Sequence, residues 1–451
     1  MKAIILAAGE GKRMKSELPK VLHTLGGKPM LHYIIDTCLA AGIDDITVVV
    51  GKGADEVQKA TPQAVHFVKQ EEQLGTGHAV MCAKKLIAPD EQTVILCGDT
   101  PLITPGFIKN LMAFHKEKGA HGVVTSTSVP NPEGYGRIIS TPGGDFEAIV
   151  EQRDLSPSQT DIKNINPGVY VFTGRELLYG LEHTDTDNSQ QEYYLTDVPN
   201  ILKEDGFKIA VYHASDHLQF LGINSQKQLA EAASVLRGRI LDTHFDNGVT
   251  IIDPATTYID ADVEIEAGVT IGPGVMLHNG CRVGKGTVIR AYTIAEGAAI
   301  GENCQIGPFA YLRPGTVVGN NCRIGDFVEL KNAKLGSNTT AAHLAYIGDA
   351  QIGDRVNFGC GAITVNYDGN LKHKTVVNDN VFVGSNVNLI APVTVEGGAF
   401  VAAGSTITDD VPADAFAIAR ERQVTKEGGA IKYKTGRSGA AGRSDAAGGS
   451  D

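Results

Sequence analysis

The sequence predicts an α/β domain built on a Rossmann-like mixed sheet, followed by a parallel β-helix of hexapeptide repeats. Three observations carry this expectation. Short apolar segments alternate with helix-periodic ones through the first half of the 451 residues, and a glycine-rich loop follows the first apolar segment. From Ile259 an aliphatic residue returns at every sixth position, at Ile265, Ile271, Leu277, Val283 and Ile289, then again from Ile294 through Ile300, Ile306, Leu312, Val318, Ile324 and Leu330. That period sets each aliphatic at a fixed corner of a short strand facing a common core, while Gly, Asn and Asp make the turns.

In chain order, Ala3 to Leu6, Ile46 to Val50, His66 to Val68 and Val94 to Cys97 read as strands. His32 to Ala41, Gly77 to Lys85 and Pro105 to Lys116 have helical spacing. Alternation of the two implies a mostly parallel sheet with ligands at the carboxyl ends of its strands. Gly122 to Ser128, Arg137 to Ser140, Phe146 to Glu151 and Gly168 to Phe172 add a β subregion that walls the pocket. Gln226 to Asp242 sets Leu229, Ala233, Leu236 and Ile240 on one helical face. The expected domains are therefore 1–224, a helical linker 225–248, and a β-helix 249–427. The Lys-, Gly- and Ser-rich remainder, 428–451, cannot bury a core and is expected to be disordered.

Hexads run to about Ile407, with five-residue steps at Ile289 to Ile294, Leu330 to Leu335 and Ile347 to Ile352. Between Thr364 and Phe382 the pattern is suspended by a segment containing Asn366, Tyr367, Asp368 and Gly369, read as a loop leaving the prism.

Composition narrows the functions. With 52 acidic and 40 basic side chains the net charge is −12, which disfavours nucleic acid and acidic membranes as partners. The apolar run Ala3 to Ala8 is too short for a signal sequence, and no stretch approaches membrane-spanning length, so a cytoplasmic protein is expected. Seven scattered cysteines without a C-x-x-C pair point to reduced thiols. Cys304 and Cys322, three hexads apart, should stack on adjacent coils.

Leu6-Ala7-Ala8-Gly9-Glu10-Gly11-Lys12-Arg13-Met14, then Leu18-Pro19-Lys20, can cradle a triphosphate. Glycines let amides approach phosphate oxygens, and Arg13 and Lys20 neutralise them. The loop fits neither the Walker pattern nor G-x-G-x-x-G. Cys97-Gly98-Asp99 ends another strand, so Asp99 is either a Mg²⁺ ligand or a helix N-cap, and Asn224 is a candidate second ligand. In the β-helix, His343 takes a hexad slot, with Arg313, Lys331 and Tyr346 in neighbouring hexads and Asn366-Tyr367 close behind. Cationic, hydroxyl and amide groups around one imidazole suit acyl transfer to an amine, which needs a base near neutral pH.

L-A-A-G-x-G-x-R-M with P-K and a strand-ending G-D resembles the sugar-nucleotide pyrophosphorylases. Gln73-Leu74-Gly75-Thr76-Gly77-His78, Gly134-Tyr135-Gly136-Arg137, Ile149-Val150-Glu151 and Glu192-Tyr193-Tyr194-Leu195-Thr196-Asp197, with the hexapeptide half, resemble the bacterial bifunctional N-acetylglucosamine-1-phosphate uridyltransferase/glucosamine-1-phosphate acetyltransferases over about Met1 to Glu427. That resemblance implies a left-handed β-helix, a homotrimer with acetyltransferase sites between subunits, and UDP-N-acetylglucosamine synthesis for peptidoglycan and lipopolysaccharide from glucosamine-1-phosphate, acetyl-CoA and UTP with Mg²⁺. It assigns Leu6, Ala7, Ala8, Gly9, Gln70, Gly75 and Thr76 to uridine, Gly136, Glu151 and Asn166 to the sugar, Arg13 and Lys20 to the phosphates, and Asp99 and Asn224 to Mg²⁺. His343 becomes the general base, with Glu329 expected to orient it. Arg313, Lys331, Tyr346 and Asn357 hold the acceptor sugar phosphate, and Cys360, Asn366, Tyr367, Ser385, Ala403 and Arg420 hold acetyl-CoA. Three positions depart from the family pattern: Pro167 stands for Thr, Gln191 for Gly and Cys360 for Ala.

Two other readings compete. The β-helix could serve a pyrophosphorylase only as an oligomerisation or allosteric module, or it could be a metalloenzyme of the carbonic-anhydrase kind. His278, His343 and His373 are poorly spaced for the latter.

Overall fold

The computed structural model describes residues 1–62 and 64–438 and divides into two compact units, Met1–Gly286 with Ile294–Gly297, and Thr287–Thr293 with the chain from Ala298 onward. In the first unit a sheet is built from β1 (Lys2–Ala7), β2 (Asp45–Val50), β3 (His66–Lys69), β4 (Gln92–Cys97), β5 (Gly122–Ser128), β6 (Gly136–Ser140), β7 (Phe146–Val150), β8 (Asn164–Asn166), β9 (Tyr170–Thr173) and β10 (Ile209–Ala214). Their spatial order is β3-β2-β1-β4-β9-β5-β8-β6-β7, with β10 on β5.

β1 lies parallel between β2 and β4, with Leu6 opposite Val49 and Cys97. Its alternating side chains feed two cores. Ala3, Ile5 and Ala7 pack on one face with Ile34, Val48 and Leu96, while Ile4 packs on the other with Val80, Ile95 and Tyr170. β9 runs antiparallel to both β4 and β5, so the sheet becomes mixed where the pocket wall begins. Each expected strand and helix forms within a few residues of its expected bounds. The linker helix, Gln226–Asp246, extends four residues past the expected end and starts with Ser225 Oγ accepting from Gln228 N at 3.3 Å.

Hexapeptide rungs appear in both units. In the first, Thr250–Ile251, Tyr258–Ile259 and Glu264–Ile265 each pair in parallel with the rung one coil later. In the second, Ala299–Ile300, Val317–Val318, Lys334–Leu335, Ala350–Ile352, Thr375–Val377 and Val393–Val395 form one continuous ladder. The corner aliphatics are buried, Leu312, Ile324 and Leu330 completely. Cys304 and Cys322 are buried free thiols on neighbouring coils, and each donates to a backbone carbonyl, Cys304 Sγ to Gly319 O and Cys322 Sγ to Gly336 O, both at 3.1 Å.

Three details differ from expectation. The loop expected across Thr364 to Phe382 is shorter, because Ile363–Val365 and Thr375–Val377 are rungs; buried Thr364 fixes the exit by donating to Gly348 O at 3.0 Å. Beyond Ile407 a further rung, Phe416–Ala417, pairs with Phe400–Val401. The tail expected to be disordered carries a helix at Gly429–Ser438, and 439–451 lie outside the described residues.

Candidate active sites

The parallel register of β1 and β4 brings their carboxyl ends to one edge, which places the Ala8–Lys20 loop beside Asp99. Gly11 takes φ 65° at the head of the short helix Lys12–Met14, and Gln73 Nε2 ties the loop down by donating to Ala8 O at 2.6 Å. Opposite, Gly75 adopts φ 109°, and a Cβ there would lie 2.5 Å from Tyr193 O, so only glycine fits. Gln70 is buried and donates to Gly75 O at 3.0 Å.

These segments enclose a cavity of 270 Å³ lined by Leu6, Ala7, Ala8, Gly9, Lys20, Gln70, Gln73, Gly75, Thr76 and Asp99. A second cavity of 220 Å³ is lined by Tyr135, Gly136, Glu151, Asn166, Thr196 and Asn224. Leu6, Thr76, Cys97 and Asp99 line both, so the cavities meet at Asp99. Every expected residue of this site lines one of them except Arg13, which stands exposed on the short helix.

At the seam, Lys20 Nζ donates to Asp99 Oδ2 at 2.5 Å and to Asn224 Oδ1 at 3.0 Å. Asp99 is therefore no helix cap; Thr104 caps the next helix by accepting from Phe107 N at 3.3 Å. Two oxygens, one from Asp99 and one from Asn224, thus converge on one ammonium. In the second cavity Thr196 Oγ1 donates to Glu151 Oε1 at 3.1 Å, and burial pushes the Glu151 carboxyl up from its ordinary value. Asn166 accepts from Gly168 N at 3.1 Å and donates to Tyr170 Oη at 2.6 Å, which fixes the turn through Pro167. Gln191 sits at φ 56°, a conformation in which the family's glycine is unstrained.

In the second unit two long strands, Arg323–Lys331 and Thr340–Gly348, run straight through a corner and set His343 opposite Asp326. His343 Nδ1 bonds Asp326 Oδ1 at 2.8 Å, and that bond holds the Asp326 carboxyl below its usual range. Glu329, the expected partner, instead accepts from Arg313 Nη1 at 2.9 Å. The reason is spacing. A coil with a five-residue step repeats after 17 residues, as the Asp326–His343 register shows, so the acid one coil below His343 is at 326.

Above His343 the ladder bonds Gly361 N to Leu344 O, Asn386 N to Cys360 O and Gly404 N to Ser385 O stack Cys360, Ser385 and Ala403 on successive coils, with the Arg420 side chain next to Gly404. Tyr346 lies in register with Glu329, and Asn366 Nδ2 donates to Asp349 Oδ2 at 2.5 Å and Tyr346 Oη at 3.5 Å. The Lys372 ammonium beside it pushes Lys331 down from its ordinary pKa, as like charges do. Asn357 stands on the rung beyond Thr340. Tyr367 leads the loop, which Asp368 staples by accepting from Asn370 N and Leu371 N at 2.7 Å each.

A glycine-bearing loop beside a strand-ending carboxylate, joined to a hexapeptide β-helix carrying a carboxylate-paired imidazole, fits a nucleotidyltransferase fused to an acyltransferase. Residues 3–194 match the MobA-like NTP transferase domain; 256–294 and 297–332 match the bacterial transferase hexapeptide (six repeats), and 374–409 the hexapeptide repeat of succinyl-transferase. Among curated relatives, "Bifunctional protein GlmU" of Clostridium tetani is 47% identical, covering 94% of this chain and 97% of its own, and that of Clostridioides difficile is 47% identical, covering 95% and 96%. The namesake of Brevibacillus brevis is also 47% identical over 94% and 96%. The chain belongs to the bifunctional GlmU family. It is a bifunctional uridyltransferase and acetyltransferase of UDP-N-acetylglucosamine synthesis, and the β-helix is more than an oligomerisation module. Among the described residues no helix is long and apolar enough to cross a membrane.

Proposed function

We propose that UTP occupies the 270 Å³ cavity and N-acetylglucosamine-1-phosphate the 220 Å³ one, and that uridylyl transfer takes place at the seam they share. The observation that carries this is the set of four residues common to both linings, Asp99 among them. Amides of Leu6 to Gly9 with Gln70, Gly75 and Thr76 hold the nucleotide. Gly136, Glu151 and Asn166 hold the sugar, while Arg13 and Lys20 serve the phosphates. Asp99 and Asn224 would hold Mg²⁺, which would supply charge neutralisation on the phosphates. A sugar-phosphate oxygen attacks the α-phosphorus of UTP as the bond to pyrophosphate breaks. The nucleophile is already ionised, so the chain supplies positioning and charge in place of a base. Asp99→Ala is expected to abolish UDP-sugar formation while acetyl transfer stays near normal. Near-normal UDP-sugar formation by that variant in Mg²⁺ refutes the cation assignment.

Acetyl transfer centres on His343. With Nδ1 held by Asp326, Nε2 takes the proton from the amine of glucosamine-1-phosphate as nitrogen bonds the thioester carbonyl, and the proton passes to the departing thiolate of CoA. Arg313, Lys331, Tyr346 and Asn357 hold the sugar phosphate. Acetyl-CoA lies along Cys360, Ser385 and Ala403, with Asn366, Tyr367 and Arg420 at its polar parts.

A homotrimer completes this second site. What supports it is an exposed ladder beside His343: Tyr292, Phe309 and Phe327 stack with centroids 5.3 and 5.4 Å apart, and Leu344 continues the column. All four hold positive φ, from 36° to 57°, where bulky residues are strained, so the column carries apolar surface at a conformational cost. The reactions belong in the cytoplasm, the reducing compartment that holds UTP and acetyl-CoA and keeps seven free cysteines as thiols.

A further inference from the structure

Lys20 holds the oxygens expected to bind the divalent cation. Its ammonium uses Asp99 Oδ2 and the single amide oxygen of Asn224, and its side chain is only 11% exposed, that of Asp99 19%. An amide oxygen cannot serve an ammonium and a dication at one position, because two cations within bonding distance of the same oxygen repel strongly in so dry a site. The backbone of Lys20 is anchored: it opens the short helix Lys20–Leu22, in which Val21 and Leu22 are buried. The long side chain is the part free to swing.

An anionic destination lies within reach. The phosphate loop packs on the lysine stem, where a Cβ on Gly11 would sit 2.9 Å from Lys20 Cβ, and Lys20 lines the same cavity as Gly9. Phosphates entering that loop meet the ammonium directly.

We propose that Lys20 is a cation latch: its ammonium holds the position between Asp99 and Asn224 until the phosphates of a nucleoside triphosphate draw it away, so that triphosphate and divalent cation bind cooperatively. This rests on Asp99 and Asn224 being the cation ligands. Coupling of this kind is reciprocal, each ligand easing the entry of the other. It also disfavours loading of the metal without nucleotide.

The test uses the full chain and Mn²⁺ as probe, with free Mn²⁺ followed by electron paramagnetic resonance in the absence of nucleotide. A latch closed about 90% of the time weakens apparent affinity about tenfold, so Lys20→Met and Lys20→Gln are expected to bind Mn²⁺ about tenfold more tightly than the unaltered chain. The gap should persist at about 0.5 M KCl, where only charges in near contact still interact. Equal affinities in the unaltered chain and both lysine variants, with Asp99→Asn weakened, overturn the latch and leave the cation site standing. A gap that disappears at high salt also overturns it, in favour of a general field effect. Unchanged Mn²⁺ binding by Asp99→Asn removes the cation site itself, and the latch with it.

Discussion

Replacing Phe327 by Asn separates the stability of one chain from its assembly. Phe327 is 58% exposed at φ 54°. Asn holds the same left-handed conformation at other corners, including Asn321 at 56° and Asn338 at 58°, so the new residue suits the backbone better than the old. Taking a phenylalanine surface of ~200 Å², the exposed 58% is about 115 Å² of apolar area. Covering it in an interface contributes up to about 3 kcal/mol per subunit, here taken as about 2 after side-chain ordering. Three copies make about 6 kcal/mol per trimer, and the midpoint concentration follows the square root of the trimer dissociation constant, so it should rise about a hundredfold. Light scattering across a dilution series reads that shift, and acetyl transfer should fall over the same concentrations while uridylyl transfer does not. An unchanged midpoint with full acetyl transfer at every dilution refutes both the trimer contact and the shared site.

Asp326→Asn should lower acetyl transfer about tenfold by removing the charge that selects the His343 tautomer, with uridylyl transfer intact; an unchanged pH–rate profile and rate would leave Asp326 without a role. Asp197 makes a pH prediction. Burial, then the charges of Asp185 and Glu151, raise its carboxyl to about 6, so the stability it lends below its unfolded value of 3.8 is lost as pH rises through 6. Asp197→Asn should therefore match the unaltered chain near pH 4 and exceed it at pH 8 by roughly 1–2 kcal/mol, discounted for partial exposure. Urea unfolding of the N-terminal transition at both values checks this, and a gap independent of pH contradicts it.

The hexads were legible because each corner aliphatic answers to one local rule, burial at a fixed slot, and Leu312, Ile324 and Leu330 are all fully buried. The phosphate loop was legible for a similar reason, since a strand ending in Leu6-Ala7 leaves the next residues at the carboxyl edge. Long-range pairings were not. Nothing local couples Lys20 to Asp99, 79 residues away, or to Asn224, 204 residues away. Hexad counting points to Glu329 as the acid at His343 because it ignores the coil that a five-residue step shortens; that step is visible in the sequence and points to Asp326, the residue paired with His343. The rung Thr375–Val377 escaped because the Asn366 loop resets the count before it. Gln73 and Thr196 stood inside quoted motifs, but their bonds to Ala8 and Glu151 depend on folding.

Solvent exposure separates the two proposed sites. At the uridylyl centre Gln70 and Asn166 are 4% and 8% exposed, and the Lys20 and Asp99 side chains are nearly enclosed, so each charge acts at low dielectric. At the acetyl centre the His343 and Asp326 side chains are 56% and 41% exposed, where water competes for both ends of their bond and a carboxylate holds a tautomer weakly. A base that must stay neutral, oriented and shielded needs surface from elsewhere, and the strained apolar column ending at Leu344 adjoins His343. With the proposed trimer supplying that surface, dilution should silence acetyl transfer first.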